Sequence, residues 1–248
     1  MTNLRSSPGR RRWRIAMLLG VGVLVNYFDR VNLSVSHGAL YTAFGISDIA
    51  FGYLSGAYNW IYALCQLPIG VLLDRFGVKR IGRISVLLWS AASFAAALAP
   101  GLGGLFGARL LLGAGEAPTF PANAKAIGAW FPAEERSLAT SFFDAAAKFA
   151  SALGVPLLGL LLLRMGWRWS FALTGIVSLF YFGLFYRLYR EPEDDLDLTQ
   201  QERLYIGGDN QVEAGPAAAM SLGHLSASER CLAWRSAWVR TTMSSTCC

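Results

Sequence analysis

Six apolar runs, each about 18 to 25 residues long, follow one another between Ile15 and Tyr189. A lipid core about 30 Å thick is crossed by about 20 apolar residues in a helix. Only a helix satisfies all its backbone groups within its own segment in lipid, so runs of this length predict transmembrane helices. The rest of the composition agrees. Of 248 residues, 54% are hydrophobic and 15% are charged, where a soluble domain carries about a quarter charged. The net charge of +6 sits largely at the ends of the runs. It therefore reads as a topology signal rather than a nucleic-acid footprint.

The expected spans are residues 13–36, 49–73, 81–98, 105–130, 137–163 and 169–189, with Ser47 as the N-cap of the second. The organisation that follows is a cytoplasmic tail over 1–12, a transmembrane bundle over 13–190, and a cytoplasmic polar segment with an aberrant tail over 191–248. Arg10, Arg11, Arg12 and Arg14 before an apolar stretch resemble a secretory leader. No small-x-small cleavage site follows, and Asn26 to Arg30 continue the helical pattern, so the run reads as an uncleaved first helix. Lys and Arg place both termini in the cytoplasm. Arg5, Arg10, Arg11, Arg12 and Arg14 precede the first span, and Arg75, Lys79, Arg80 and Arg83 follow the second. Arg164 and Arg168 break the pattern.

An internal repeat accounts for that exception. Gly70-x4-Arg75-Phe76-Gly77-x-Lys79 recurs 89 residues later as Gly159-x4-Arg164-Met165-Gly166-x-Arg168. Each copy follows the second helix of a set of three, and three is odd, so the second set is inverted in the membrane. The expected fold is an all-α membrane protein of six transmembrane helices in a 3+3 inverted repeat. Small residues with GxxxG spacing, Gly52/Gly56 and Gly103/Gly107, offer close helix approach or a homodimer route.

An ionisable group within a span is costly and marks function by default. Asp29 and Arg30 lie in the first span, Arg109 and Glu116 in the fourth, and Asp144 and Lys148 in the fifth. Arg109 and Glu116 are seven residues apart, two turns on one face. Asp144 and Lys148 have i,i+4 spacing and could neutralise each other. Pro118 and Pro121 remove N–H donors beside Glu116 and free carbonyls, which is tolerated where backbone lines a cavity. A purely structural Asp29–Arg109 pair is the plainer alternative. Cys65, Cys231, Cys247, Cys248, His37 and His224 show no metal-ligand spacing. No nucleophile–base pair is evident. Neither a metal, a cofactor nor an enzyme activity is expected.

Several motifs resemble the major-facilitator transporters. Gly70-x3-Asp74-Arg75-x-Gly77-Val78-Lys79-Arg80 is similar to the family's conformational motif between helices 2 and 3. Leu105-x3-Arg109-x3-Gly113-x-Gly115-Glu116 is similar to its helix 4 motif, and Gly166-Trp167-Arg168-Trp169 to its 5–6 junction. Asn26-Tyr27-Phe28-Asp29-Arg30, Gly115-Glu116-Ala117-Pro118 and Trp130-Phe131-Pro132 resemble the anion:cation symporters, which move organic anions, including sugar acids, with protons. The resemblance covers about residues 13 to 225. It implies substrate binding by Arg30, Tyr27, Asn26 and Tyr62, and proton coupling by Asp29, Glu116 and Arg109, with Asp29 pairing Arg109. The family has twelve helices, so the resemblance is to an N-terminal half. A missing second half or a homodimer would be the partner. A truncated or frameshifted fragment that does not transport is the rival expectation.

Overall fold

The computed structural model describes residues 11–195 and 197–213, with side chains described as far as Ile206. Eight helices and no strand are found among the described residues: α1 (Arg11–Val35), α2 (His37–Phe44), α3 (Asp48–Ala97), α4 (Leu102–Glu116), α5 (Thr119–Trp130), α6 (Ala133–Met165), α7 (Trp167–Leu188) and α8 (Gln200–Glu213). Among them α1, α3, α6 and α7 are long and apolar enough to cross a membrane. The aberrant tail expected after about residue 225 lies outside the described residues.

Three local features depart from the sequence expectation. The connection expected between residues 73 and 81 is a single break, since α3 runs for 50 residues with only Gly77 outside helical geometry. The helix expected over 105–130 is interrupted after Glu116, where Pro118 and Pro121 carry no N–H and leave the carbonyls of Ala114 and Ala117 without helical donors. The 1–2 connection contains α2, closed by Gly45 in the left-handed conformation. The Ser47 cap forms as expected, with its hydroxyl accepting from the Ala50 N–H at 3.2 Å.

Gly77 (φ 77°, ψ 165°) and Gly166 (φ 82°, ψ 169°), paired by the 89-residue offset, adopt the same backbone conformation. Positive φ with extended ψ is open essentially to glycine alone. Gly77 is also cradled: a Cβ there would sit 2.5 Å from Glu191 Oε1, which accepts from the Lys79 N–H at 3.2 Å.

Packing runs through glycines other than the GxxxG pairs. Gly52, Gly103 and Gly107 face open space. Gly113 and Gly115 instead hold α4 against both legs of α3, where a Cβ would lie 2.6 Å from the Tyr58 carbonyl and 2.8 Å from the Trp89 amide. In lipid no hydrophobic drive brings helices together, so backbone approach of this kind carries the association. Residues 191–195 and 197–206 strap the end of the bundle where α1 begins. Arg11 pairs with Asp195 at 2.9 Å, buried Arg12 with Glu135 at 3.0 Å, and Lys79 with Asp194 at 3.0 Å. The Tyr205 hydroxyl donates to Glu135 at 2.9 Å, a bond that holds its phenol above the ordinary tyrosine range.

Candidate functional site: two buried polar clusters in an apolar bundle

Asp29 and Arg30 are adjacent on α1, so helical geometry turns their side chains about 100° apart. They enter different clusters.

Arg30 faces α3 and α4. Its Nε donates to Glu116 Oε2 at 2.9 Å, and the Tyr58 hydroxyl donates to the same oxygen at 2.6 Å. Glu116 is fully buried. The guanidinium carbon lies 5.1 Å from the Tyr27 ring centroid, 5.3 Å from Tyr58, 4.9 Å from Tyr62 and 6.0 Å from Phe120. Four aromatic faces around one cation supply negative quadrupole charge without adding a carboxylate. Arg30 Nη2 and Glu116 Oε1 have no protein partner. Nearby on α1, Asn26 is fully buried with neither side-chain polar atom bonded. Unpaired buried polar atoms are expensive and rare, and they cluster where a ligand completes the set.

Asp29 faces the second leg of α3 and α7. Its carboxylate accepts from Ser93 at 2.8 Å and from Ser178 at 3.0 Å. One turn along α1, the Asn32 amide oxygen accepts from Ser170 at 2.7 Å, and its nitrogen donates to Thr174 at 3.4 Å. A buried carboxylate and amide are thus held by hydroxyls from neighbouring helices.

The direct Asp29–Arg109 pair implied by the resemblance is not formed here. Among the described residues no carboxylate lies within 4.0 Å of the Arg109 guanidinium, because the serines already hold Asp29 and Arg30 already holds Glu116. Arg109 is buried over the Phe171 ring at 5.5 Å, with Nε and Nη2 unpartnered. It remains close enough to sense the charge of both Asp29 and Glu116. Asp144 and Lys148 also stay apart: both are exposed on α6, and no ion pair within 4.0 Å joins them.

The motif residues lie around the break in α3, away from both clusters. Asp74 pairs with Lys125 of α5 at 2.7 Å, and the same Nζ donates to the Leu73 carbonyl at 2.8 Å. Gly70, Arg75 and Arg80 are exposed, with Arg75 over the Phe76 ring at 5.4 Å. Gly77 forms the break in α3, and Lys79 is engaged by Asp194 and Glu191.

Tyr58, Phe120, Ser93, Ser170, Thr174 and Ser178 escape the sequence reading. A signal for several of them exists. Ser170, Thr174 and Ser178 form an i, i+4, i+8 stripe along an otherwise apolar helix, and Tyr58 lies four residues from Tyr62 on the same face.

The Major Facilitator Superfamily model matches residues 19–248, which carries the match past residue 225, where the motif resemblance ends. The chain is 38% identical over 205 residues to the uncharacterized transporter YybO of Bacillus subtilis, covering 83% of this chain and 47% of that protein. It is 33% identical over 201 residues to a D-galactonate transporter of Escherichia coli, covering 81% and 47%. Identity to the Escherichia coli hexuronate transporter is 32% over 216 residues, covering 86% and 50%. The chain thus spans about half the length of the curated relatives it matches. In fold it is similar to the inward-open xylose transporter XylE of Escherichia coli, at TM-score 0.69 and 18% identity over 84% of this chain and 57% of that one. With an all-helical bundle of membrane-crossing length and a family match over nearly its whole sequence, the chain belongs to the Major Facilitator Superfamily.

Proposed function

We propose that this chain forms the anion- and proton-binding half of a proton-coupled organic-anion transporter, with sugar acids as the substrate class. The observation that carries the reading is the Arg30–Glu116 pair, buried in its aromatic cage. Arg30 presents a planar fork suited to a carboxylate, and Glu116 now occupies one arm of it. A proton on Glu116 removes its charge and frees the fork. A substrate carboxylate then takes the same guanidinium, and Asn26, Tyr27 and Tyr62 meet the rest of the anion. Substrate release and loss of the proton restore the pair. Proton and anion thereby travel together. Asp29 serves as the second titrating group, with Arg109 as the fixed charge both carboxylates feel. The sugar-acid class is supported by the D-galactonate and hexuronate transporters among the relatives.

The same reading gives six spans: α1, the two legs of α3, α4 with α5, α6, and α7. They form a 3+3 inverted repeat whose two junction glycines share one conformation. Both termini lie in the cytoplasm of a cell-membrane protein. Transport requires a second bundle, because alternating access rocks one bundle against another. The exposed Asp144 and Lys148 lie about 16 Å or more along α6, at a depth where lipid-facing charge is unfavourable. Such charges call for a protein or aqueous neighbour. A homodimer of this chain would set like charges across the pathway, which favours a different second half.

The test uses a twelve-helix protein that carries this half. Glu116→Gln should keep substrate counterflow in liposomes and lose accumulation driven by a pH gradient, since glutamine matches the shape but cannot titrate. Unchanged proton-driven accumulation would refute the coupling role. The rival reading is a membrane fragment that inserts without transporting. It is separated by giving the 248-residue chain alone the same assay, where substrate-specific, pH-dependent uptake would refute it.

A further inference from the structure

We propose that the groove between the start of α1 and the end of α7 binds an anionic phospholipid, with an acyl chain along its floor and the phosphate on Arg14. The groove encloses about 810 Å³, lined by Trp13, Arg14, Met17, Val21, Leu184 and Leu188 among others. From Arg14 to Val21 it descends seven residues, or about 10 Å. One leaflet of the hydrocarbon core is about 15 Å deep, so the groove covers about two thirds of the depth an acyl chain occupies. Its rim is basic. Arg11 is neutralised by Asp195 at 2.9 Å and Asp197 at 3.6 Å. Arg14 is exposed and has no carboxylate within 4.0 Å among the described residues. Arg187, beside Leu188, is exposed and unpaired in the same sense. Residues 1–10 contain no Asp or Glu, so the preceding segment supplies no counter-charge.

The chemistry selects the occupant. An apolar floor with Met17 55% and Val21 42% exposed gains by covering. The uncompensated Arg14 guanidinium in its lining, with Arg187 next in sequence to the lining residue Leu188, matches a phosphate that carries net negative charge. Phosphatidylcholine carries a compensating cation and meets these arginines less well. Trp13 fixes one wall through its edge contact with Phe131 at 5.3 Å, an indole at the level where membrane proteins concentrate tryptophan. The site depends on the chain crossing a membrane and is independent of whether it transports.

The test titrates the full chain in neutral detergent with phosphatidylglycerol bearing brominated acyl chains, and with matched phosphatidylcholine, reading tryptophan quenching. Phosphatidylglycerol should quench at about fivefold lower concentration, the effect of one arginine near a lipid surface. Trp13→Phe should remove the phosphatidylglycerol-specific component. Arg14→Gln should bring phosphatidylglycerol to the phosphatidylcholine level, while Arg14→Lys keeps the preference. Inorganic phosphate should not displace the lipid. Equal quenching of the wild type by both lipids would overturn the site, as would survival of the specific component in Trp13→Phe. Displacement by phosphate alone would overturn the lipid assignment. If Arg14→Gln fails to fold, the lipid comparison and Trp13→Phe still decide.

Discussion

Two carboxylates, adjacent in role by resemblance, are held by different chemistry. Glu116 is held by a cation and a phenol, and Asp29 by hydroxyls. Hydrogen bonds to a charged group contribute about 1.5–3 kcal/mol each. Ser178→Ala and Ser93→Ala should each lower stability in detergent by about that much, measured by thermal unfolding of the purified chain. A neutral result for both would mean that water replaces the hydroxyls. Arg30 can be separated from a generic positive charge by Arg30→Lys. Lysine keeps the charge and loses the fork, so sugar-acid binding in the twelve-helix protein should fall about tenfold or more, an energy difference near the worth of one charge-assisted bond. Equal affinity by isothermal titration would remove Arg30 from the site.

The helices are shaped at a few residues whose backbone demands are unusual. Gly77 and Gly166 share a conformation, yet only Gly77 has a neighbour at its missing Cβ. Alanine at either position meets strain of about 1–3 kcal/mol. Gly77→Ala must also displace Glu191, which anchors the Lys79 amide. Gly77→Ala should therefore destabilise the chain more than Gly166→Ala by thermal unfolding. Equal losses would show that strain alone sets the cost. Pro118 and Pro121 belong to the same scale. They split what periodicity presents as one helix, and they do so immediately after Glu116, where α4 ends.

For the whole molecule, the proposed orientation rests on the basic residues. Reporter fusions after Thr42, Gly101 and Gly166 should report the exterior, and cytoplasmic signal from two of the three would overturn the proposed topology. The first leg of α3 leaves Tyr53, Trp60, Leu64 and Leu67 between 63% and 83% exposed, and α6 exposes Asp144 and Lys148. Lipid can cover the first face at little cost but not the second. On the proposed reading, that asymmetry makes α6 the helix whose surroundings most need a second bundle.

Residue order alone determined a great deal. Apolar runs of membrane length have few alternatives to the helix in lipid, and the 89-residue recurrence ties Gly77 to Gly166 before any coordinates exist. Charge within those runs singled out Asp29, Arg30, Arg109 and Glu116, because buried charge is too costly to be incidental. Tertiary structure decided who meets whom. Neighbours in sequence at Asp29 and Arg30 part by about 100° around α1, so one meets serines of α3 and α7 and the other meets Glu116. Tyr58 and Ser93 come from the two legs of α3 and Phe120 from α5, and no spacing rule links them to α1. The glycines that matter for packing, Gly113 and Gly115, are distinguished from Gly52 and Gly103 only by what stands opposite them. Side-chain pattern fixes the face of a helix, but the partner of that face is set by the path of the whole chain.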